Sequence, residues 1–530
     1  MVPGKGALAA LVVSMAVVVG CSDASDDESS TATSTEQLPP NQVAAVALPD
    51  DAVDNAVAKL DELATSLMDS SHIPGMAVAV VHGGKTVYAK GFGVKQAGGQ
   101  DKVDADTVFQ LASVSKSVSA SVVAHQVGAG TVEWTTPVVS KLPSFALADP
   151  ATTAQLTIGD LFAHRSGLPD HAGDRLEDLG YDQAAILDKL RLEPLDPFRI
   201  TYHYTNFGLT AGAEAVAAAA GVPWDRLCAE TVYGPLGMSS TSSRFADYEA
   251  RPNRAVGHVD VDGEWVAKFV RDPDPQSPAG GVSSSVNDMA RWLAMMLGHG
   301  TANGTTIAPA AALLPAITPQ VISSPASSPE SRAGFYGYGF NASTSSTGRT
   351  AYSHSGAFAL GAATNFLAIP SADVAIIALT NAAPIGVPEA LTAEFGDLVQ
   401  FGEIREDWRG IYQAALAPIN DPEGDLSGKS APVTPAPAQP LPTYVGSYAN
   451  EYWGPATISE AESGLVLTLG PAQRRFPLRH WDGDTFVFEP RGENAAEGSV
   501  SMVTFGPGPD RADSVTVELW NQDGIGTFER

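Results

Sequence analysis

One serine and one lysine are spaced so that a helix would bring them together. Ser113 and Lys116 stand three residues apart in Ser-Val-Ser-Lys. If Ser113 opens a helix, the lysine lies one turn further on the same face, within reach of the serine oxygen. A serine hydroxyl is a weak nucleophile that needs a neighbouring base, and a lysine can act as that base when desolvation lowers its pKa. The pair predicts a nucleophile and its base, although an ordinary helix start with Ser113 as N-cap has the same pattern.

Two more polar motifs follow in chain order. Tyr204-Thr205-Asn206 supplies Tyr-x-Asn, and His354-Ser355-Gly356, followed by Ala357, supplies His-x-Gly. Each has a simpler interpretation: Tyr204 as a half-buried aromatic at a helix–loop junction, and Asn206 as a turn residue. Three such motifs in one order favour a shared site.

The order Ser-x-x-Lys, Tyr-x-Asn, His-x-Gly resembles the superfamily of class C β-lactamases and D-alanyl-D-alanine carboxypeptidases, whose relatives include serine esterases and D-aminopeptidases. Further stretches resemble the same family: Ile73–Met76, Thr157–Pro169 and Pro278–Val282. Together these segments cover about residues 55–400. Beyond them, Tyr444–Tyr448 and His480-Trp481 resemble the lipocalin-like β domain that is often appended to these hydrolases.

The resemblance implies a role for each motif residue. Ser113 would attack the substrate carbonyl, while Lys116 and Tyr204 would carry its proton to the leaving group. The backbone N–H groups of Ser113 and Ala357 would form the oxyanion hole, which stabilises charge as it develops. Asn206 would hydrogen-bond either the substrate amide or the lysine.

The His-x-Gly motif departs from the β-lactamase pattern. Lactamases of this type carry a lysine where this chain has His354, although several carboxypeptidases and esterases carry histidine. With an ordinary pKa near 6.5, His354 would hold a substrate carboxylate less firmly than a lysine. We therefore place His354 and Gly356 in the substrate-binding strand, and expect anionic substrates to be accepted better as pH falls toward 6. His164, in a segment that is structural in this family, is expected to pack and hydrogen-bond.

Composition excludes several other kinds of site. With 60 acidic and 31 basic residues the net charge is −29, so phosphate backbones are repelled and nucleic acid is a poor partner. The sequence contains neither a His-Glu-x-x-His nor a Cys-x-x-Cys motif, so no motif indicates a site for a metal or another cofactor. Cys228 has apolar neighbours at helical spacing, which favours a buried thiol over a nucleophile.

The N-terminus predicts export. Lys5 precedes an apolar run, Ala7–Val19, that is too short to span a bilayer and is typical of a signal peptide. The run ends in Val-Val-Gly-Cys21, which resembles the bacterial lipobox, so residues 1–20 would be removed and Cys21 would carry the lipid. Secretion with cleavage nearby is the alternative. Residues 21–50, rich in Ser, Thr and acids, would tether a lipoprotein to the cell membrane or outer envelope of a bacterium.

The remaining chain divides into a main domain, a linker and a smaller domain. Residues 51–425 mix helical stretches with a β-hairpin near each end, at 76–89 and 364–380, which predicts an α+β fold with an antiparallel sheet and a helical lobe. The five prolines of the linker, 426–442, predict an extended spacer. Residues 443–530 contain short strands separated by turns, which predicts a small β-barrel that can be removed without loss of folding.

These observations predict a serine hydrolase that acts through an acyl-enzyme on a peptide, amide, ester or lactam carbonyl. The substrate would be a small molecule or a peptide. A non-catalytic envelope protein that binds wall peptides or lactams is the main alternative, and a purely structural lipoprotein does not explain three ordered polar motifs. The sequence leaves the oligomeric state open.

Overall fold

The structure is a computed structural model that describes residues 46–462, 464–508 and 510–530. The predicted signal peptide, Cys21 and most of the predicted tether lie outside the described residues. Within the described part of the chain, no helix has both the length and the apolar character needed to cross a membrane.

The strands of the main domain are β1 Gly75–His82, β2 Lys85–Gly93, β3 Phe109–Gln110, β4 Val259–Val261, β5 Glu264–Val266, β6 Ser283–Ser284, β7 Thr301–Ala302, β8 Thr305–Thr306, β9 Val321–Ser324, β10 Gly334–Tyr336, β11 Asn341–Thr344, β12 Thr350–Phe358, β13 Ala362–Ile369 and β14 Val374–Thr380.

Eight of these strands form one antiparallel sheet in the order β2-β1-β14-β13-β12-β11-β10-β9. Met76 of β1 lies opposite Thr380 of β14, so strands from the two ends of the domain pair directly. Gly83 and Gly84 join β1 to β2 with φ of +60° and +69°, the left-handed values that a tight hairpin requires. The predicted α+β fold and both predicted hairpins are confirmed.

The helices are α1 Ala52–Val57, α2 Leu60–Ser71, α3 Val114–Gly128, α4 Pro150–Gln155, α5 Ile158–Phe162, α6 Asp174–Asp178, α7 Gln183–Lys189, α8 Asn206–Ala220, α9 Trp224–Cys228, α10 Gly234–Leu236, α11 Phe245–Glu249, α12 Ser277–Gly280, α13 Val286–Leu297, α14 Ala310–Leu313, α15 Val387–Phe401 and α16 Trp408–Leu416.

The sheet separates two hydrophobic cores. On one face, α1, α2 and α15 bury side chains such as Leu67 and Phe395 against β1 and β14. On the other face, α3, α8 and α13 pack together with the sheet around Val118, Leu209 and Trp292. Because α3 contacts α8, α12 and β12, its first turn lies where the helical lobe meets the sheet. Sites commonly form at such a junction.

The C-terminal strands are β15 Gly446–Asn450, β16 Gly454–Ala461, β17 Gly464–Leu469, β18 Arg474–Asp482, β19 Thr485–Phe488, β20 Ser501–Gly506, β21 Ser514–Val517 and β22 Thr527–Glu529.

These eight strands form a closed antiparallel barrel, which confirms the predicted all-β domain. Closure is made by the last strand, since Glu529 of β22 pairs with Ala449 of β15. Aromatic rings fill the interior: the ring of Tyr444 lies 5.2 Å from that of Phe486 and 4.5 Å from that of Phe505. Burial of such rings stabilises a barrel that has few helices to cover it.

Among the described residues, the barrel and the main domain belong to one compact unit. The Tyr181 hydroxyl donates to the Trp453 carbonyl oxygen over 2.9 Å, and the Asn494 amide donates to Asp178 over 3.0 Å. The Glu493 carboxylate accepts the backbone N–H groups that follow β12, at Ala359 and Leu360, over 2.8 and 3.2 Å. The proline-rich linker gave no indication of this contact. That the barrel can be removed without loss of folding stays a prediction.

Candidate active site

The predicted nucleophile stands on a constrained turn. Ala112, fully buried, has φ of +46°, a left-handed conformation that costs a non-glycine residue about 1–2 kcal/mol. Ser113 follows as the N-cap of α3, and its side chain caps no backbone group. The simpler interpretation of Ser113 as a capping residue therefore finds no support, and its hydroxyl faces the cavity between the two lobes.

Lys116 is completely buried beside Ser113. Its Nζ lies 3.0 Å from the Ser113 Oγ, 2.6 Å from the Asn206 Oδ1 and 3.1 Å from the Ala279 carbonyl oxygen. A neutral amine has two N–H donors and one lone pair. The amide and carbonyl oxygens only accept, so they take the two N–H groups. The lone pair then remains for the O–H of Ser113.

Burial lowers the pKa of Lys116 from 10.5 to about 7, against the opposing effect of the Asp174 charge. The ammonium form loses hydration in this interior and only one carboxylate compensates for part of that loss. At pH 7.5 a large fraction of Lys116 is therefore the free amine, which is the form that can accept a proton.

The activity should follow this ionisation. We expect kcat/KM to fall about tenfold for each pH unit below 7 and to become level above it, because protonated Lys116 cannot take the proton of Ser113. The measurement is a pH profile of ester hydrolysis from pH 5.5 to 9.5, with intrinsic fluorescence as a control for folding at each pH. A rising limb centred near 10 would contradict the assignment of Lys116 as base.

Tyr204 completes the group around the serine. Its ring lies 4.5 Å from the Lys116 Nζ, and its hydroxyl lies beside that of Ser113. Burial raises the pKa of Tyr204 well above 10. Tyr204 therefore stays a neutral phenol at physiological pH, which suits a group that passes a proton on but not one that abstracts it as a tyrosinate.

Asn206, the first residue of α8, is oriented by a carboxylate that the sequence analysis missed. Its Nδ2 donates to the Asp174 Oδ2 over 2.7 Å, which fixes its Oδ1 toward Lys116. The same carboxylate oxygen lies 2.8 Å from the Nδ1 of His171, whose backbone N–H donates to the Tyr204 carbonyl oxygen. Of the two predicted roles, Asn206 has the contact with the lysine. No local pattern marked Asp174, because Asn206, the site residue that it orients, lies 32 residues away.

The strand β12 forms the opposite wall. Ser355 and Ala357 line the cavity, while Gly356 packs against the serine turn. A Cβ atom placed on Gly356 would lie 2.2 Å from the Leu111 carbonyl oxygen and 3.0 Å from the Ser113 backbone nitrogen. Gly356 thus allows β12 to approach Ser113, and the next residue, Ala357, lines the cavity. The place of the Ala357 N–H in an oxyanion hole stays a prediction.

His354 lies in β12, the predicted strand, but it does not line the cavity. It is only 4 % exposed, its Nε2 accepts from the Tyr336 hydroxyl over 2.7 Å, and its Nδ1 donates to the Ser355 carbonyl oxygen over 2.6 Å. Burial lowers the pKa of His354 to about 3, so the ring is neutral between pH 6 and 8. With both nitrogens engaged, His354 is not positioned to hold a substrate carboxylate. The expectation that its protonation would favour anionic substrates near pH 6 is not supported.

Two other reactive side chains are structural. His164 is buried with its ring 4.5 Å from that of Tyr204, and its Nδ1 accepts the backbone N–H of Thr205 over 3.1 Å. Cys228 is a buried free thiol whose pKa burial raises to about 12, so it is not nucleophilic at neutral pH. Both findings agree with the sequence-based interpretation.

The cavity has a volume of about 520 Å³, and the barrel supplies part of its wall. Ser113 and Tyr204 of the main domain line it, together with Tyr452, Glu493 and Asp523 of the barrel. A serine beside a buried lysine, placed between a helical lobe and an antiparallel sheet, is the arrangement expected of serine hydrolases with the β-lactamase-like fold.

Comparison with known proteins agrees with this class. The family model described as Beta-lactamase matches residues 60–400, and a Domain of unknown function (DUF3471) matches residues 430–523. The chain belongs to the Beta-lactamase family.

Individual relatives extend the likeness. An unguisins hydrolase from Aspergillus violaceofuscus is 26 % identical over 78 % of this chain and 80 % of its own length. Penicillin-binding protein 4 from Amycolatopsis lactamdurans is 30 % identical over 46 % of this chain and 65 % of its own. The octameric penicillin-binding protein homologue from Pyrococcus abyssi superposes with a TM-score of 0.58, at 19 % identity, over 87 % of this chain and 98 % of that one. At that identity the likeness concerns the fold.

Proposed function

We propose that this member of the family is a hydrolase that cleaves an amide, ester, peptide or lactam through an acyl-enzyme on Ser113. The observation that carries the proposal is the set of contacts of Lys116. Its two N–H groups have acceptors at Asn206 and Ala279, and its remaining contact is the Ser113 hydroxyl at 3.0 Å. A buried amine arranged in this way accepts a proton from the serine as the serine attacks.

The proposed steps balance without any further reagent. The Ser113 Oγ forms a bond to the carbonyl carbon while its proton passes to Lys116, and the backbone N–H groups of Ser113 and Ala357 stabilise the oxyanion. The bond to the leaving group then breaks, and that group receives the proton through Lys116 and Tyr204. Water attacks the resulting ester in the second half of the cycle, which releases the acid and restores the serine hydroxyl.

Covalent labelling tests this proposal. We expect a fluorophosphonate or a fluorescent penicillin to modify one site, and mass mapping to find the label on the peptide that contains Ser113. Labelling elsewhere would contradict the mechanism. Stable labelling at Ser113 with no turnover of any ester or amide would instead favour the alternative of a binding protein for wall peptides or lactams.

The preferred substrate should not be an anionic lactam. His354 offers no cation to a carboxylate, and the chain carries a net charge of −29. We expect p-nitrophenyl butyrate or a D-alanyl amide to have a higher kcat/KM than the cephalosporin nitrocefin, measured side by side at pH 7.5. Nitrocefin turnover near the diffusional ceiling would contradict this expectation and favour a dedicated β-lactamase.

We also propose that the protein is an exported lipoprotein anchored through Cys21, on the evidence of the lipobox-like sequence. In a bacterial host, Cys21→Ser should convert a detergent-extractable membrane protein into an unprocessed or soluble one. The measurement is membrane fractionation with intact-mass analysis, and Ser22→Ala, one residue further on, is the matched control. A wild-type protein that is released in soluble form without a lipid would contradict the proposal.

A further inference from the structure

Four carboxylates form an acidic wall in the lining of the cavity. Asp170, Asp174 and Glu193 come from the main domain, and Asp523 comes from the barrel. Asp174 connects this wall directly to the reaction centre, because it binds Asn206, which in turn contacts Lys116. A substrate group that reached this wall would lie close to the bond being cleaved.

Two of these carboxylates have a buried oxygen without a partner. Glu193 is only 2 % exposed, and in the part of the chain that the structure describes its Oε2 has no hydrogen-bond donor. The same holds for the Oδ1 of Asp174, which is 3 % exposed. The Tyr452 hydroxyl and the Asp523 carboxylate lie beside Glu193. A buried carboxylate oxygen left without a donor costs stability, so an incoming donor would be held well.

Each arginine that lines the cavity is paired with a carboxylate. Arg271 pairs with Glu177 at 2.6 Å and faces Glu493 at 3.7 Å, although its buried Nε has no hydrogen-bond acceptor among the described residues. Arg175 pairs with Glu423 at 2.7 Å and also donates to the Leu519 carbonyl oxygen, although its charge still favours the ionised form of Asp523.

His171 donates to the Oδ2 of Asp174 and not to its free Oδ1. None of these contacts satisfies the free oxygens of Asp174 and Glu193. The wall therefore contains unused acceptors. Burial raises the pKa of Glu193 to about 7, so its carboxyl group is only partly ionised at neutral pH and an incoming cation would favour the ionised form.

We infer that this acidic wall binds a primary ammonium group of the substrate, with Glu193 as its main anchor. An ammonium group has three N–H donors and no acceptor, which matches a site composed of carboxylate oxygens and a tyrosine hydroxyl. The inference rests on the proposed hydrolase function and names its substrate class: an amino-acid amide, ester or short peptide with a free amino group near the scissile carbonyl. Glu193 is then a specificity-determining residue, and the barrel contributes to recognition through Tyr452 and Asp523.

The experiment compares two substrates that differ only at the amine. Alanine p-nitroanilide and N-acetylalanine p-nitroanilide, each in D and L form, are assayed at pH 7.5 with the wild type and with Glu193→Gln. We expect the wild type to prefer the free amine by about tenfold or more in kcat/KM, and Glu193→Gln to reduce that ratio by about tenfold, chiefly through KM. Glu214→Gln, a partly buried carboxylate outside the cavity, is the matched control and should keep the wild-type ratio.

A ratio that is unchanged in Glu193→Gln, or a wild-type preference for the acetylated substrate, would overturn the inference. Failure of the proposed function is recognised separately, because p-nitrophenyl butyrate, which has no amine, would then not be hydrolysed. In that case calorimetric binding of alaninamide decides the inference: binding that Glu193→Gln weakens about tenfold supports it, and equal binding by both proteins overturns it.

Discussion

Replacement of Ser113 by alanine is expected to abolish covalent labelling and to lower kcat by roughly 10⁴–10⁶-fold. The hydroxyl supplies the only atom that would bond to the substrate carbonyl in the proposed mechanism. Its removal should leave the fold intact, because Lys116 keeps both of its other acceptors, Asn206 and Ala279. The measurements are gel-based labelling, steady-state hydrolysis of p-nitrophenyl butyrate and thermal unfolding.

A serine from the same helix provides the opposite control. Ser121 accepts the indole N–H of Trp292 over 2.9 Å in the core behind the site. Ser121→Ala should therefore reduce the free energy of unfolding by about 1–3 kcal/mol, as loss of a buried partner does, while labelling persists. If Ser113→Ala kept its full activity, the nucleophile would have to be another residue.

Lys116 and Tyr204 are expected to behave as one proton-transfer unit. Both surround the Ser113 hydroxyl, and the lysine amine lies 4.5 Å from the tyrosine ring. Lys116→Ala and Tyr204→Phe should each lower kcat/KM by roughly 10²–10⁴-fold at pH 8, as the loss of general acid–base catalysis does. The double variant should lose much less than the product of the two, because either single change already interrupts the same proton path.

Tyr202→Phe is the matched control for this cycle. Tyr202 packs in the same aromatic cluster, with its ring 5.6 Å from that of Tyr336, but it takes no part in the proposed proton path. We expect its activity to stay within a few-fold of the wild type. Independent, multiplicative losses at Lys116 and Tyr204 would show that one of the two has been assigned the wrong role.

Lys116 and His354 have different roles although both are buried, because their hydrogen-bond partners and their pKa values differ. Both are basic and nearly inaccessible to solvent, yet the amine directs its free lone pair toward Ser113, whereas the imidazole has a partner on each nitrogen. Desolvation lowers the pKa of each. Only the pKa of Lys116 stays near 7, where a base can accept and release a proton at neutral pH.

The sequence by itself determined the features that depend on neighbouring residues. Ser113 and Lys116 share one turn of α3 because three-residue spacing places them on one helix face. The hairpin of β1 and β2 follows from two apolar runs around Gly83-Gly84, and the barrel from short alternating strands separated by turns. These patterns are local, so they could be read without a structure.

Tertiary structure alone decided which residues that are distant in the sequence meet in and around the cavity. Asp174 reaches Asn206 from 32 residues away, Glu193 meets Tyr452 and Asp523 across the contact with the barrel, and His354 becomes neutral because Tyr336 and the surrounding core bury it. No residue type or spacing marks such contacts, since they depend on how whole layers pack. The charge state and the specificity of the site follow from burial and from long-range neighbours, and both arise only when the chain is folded.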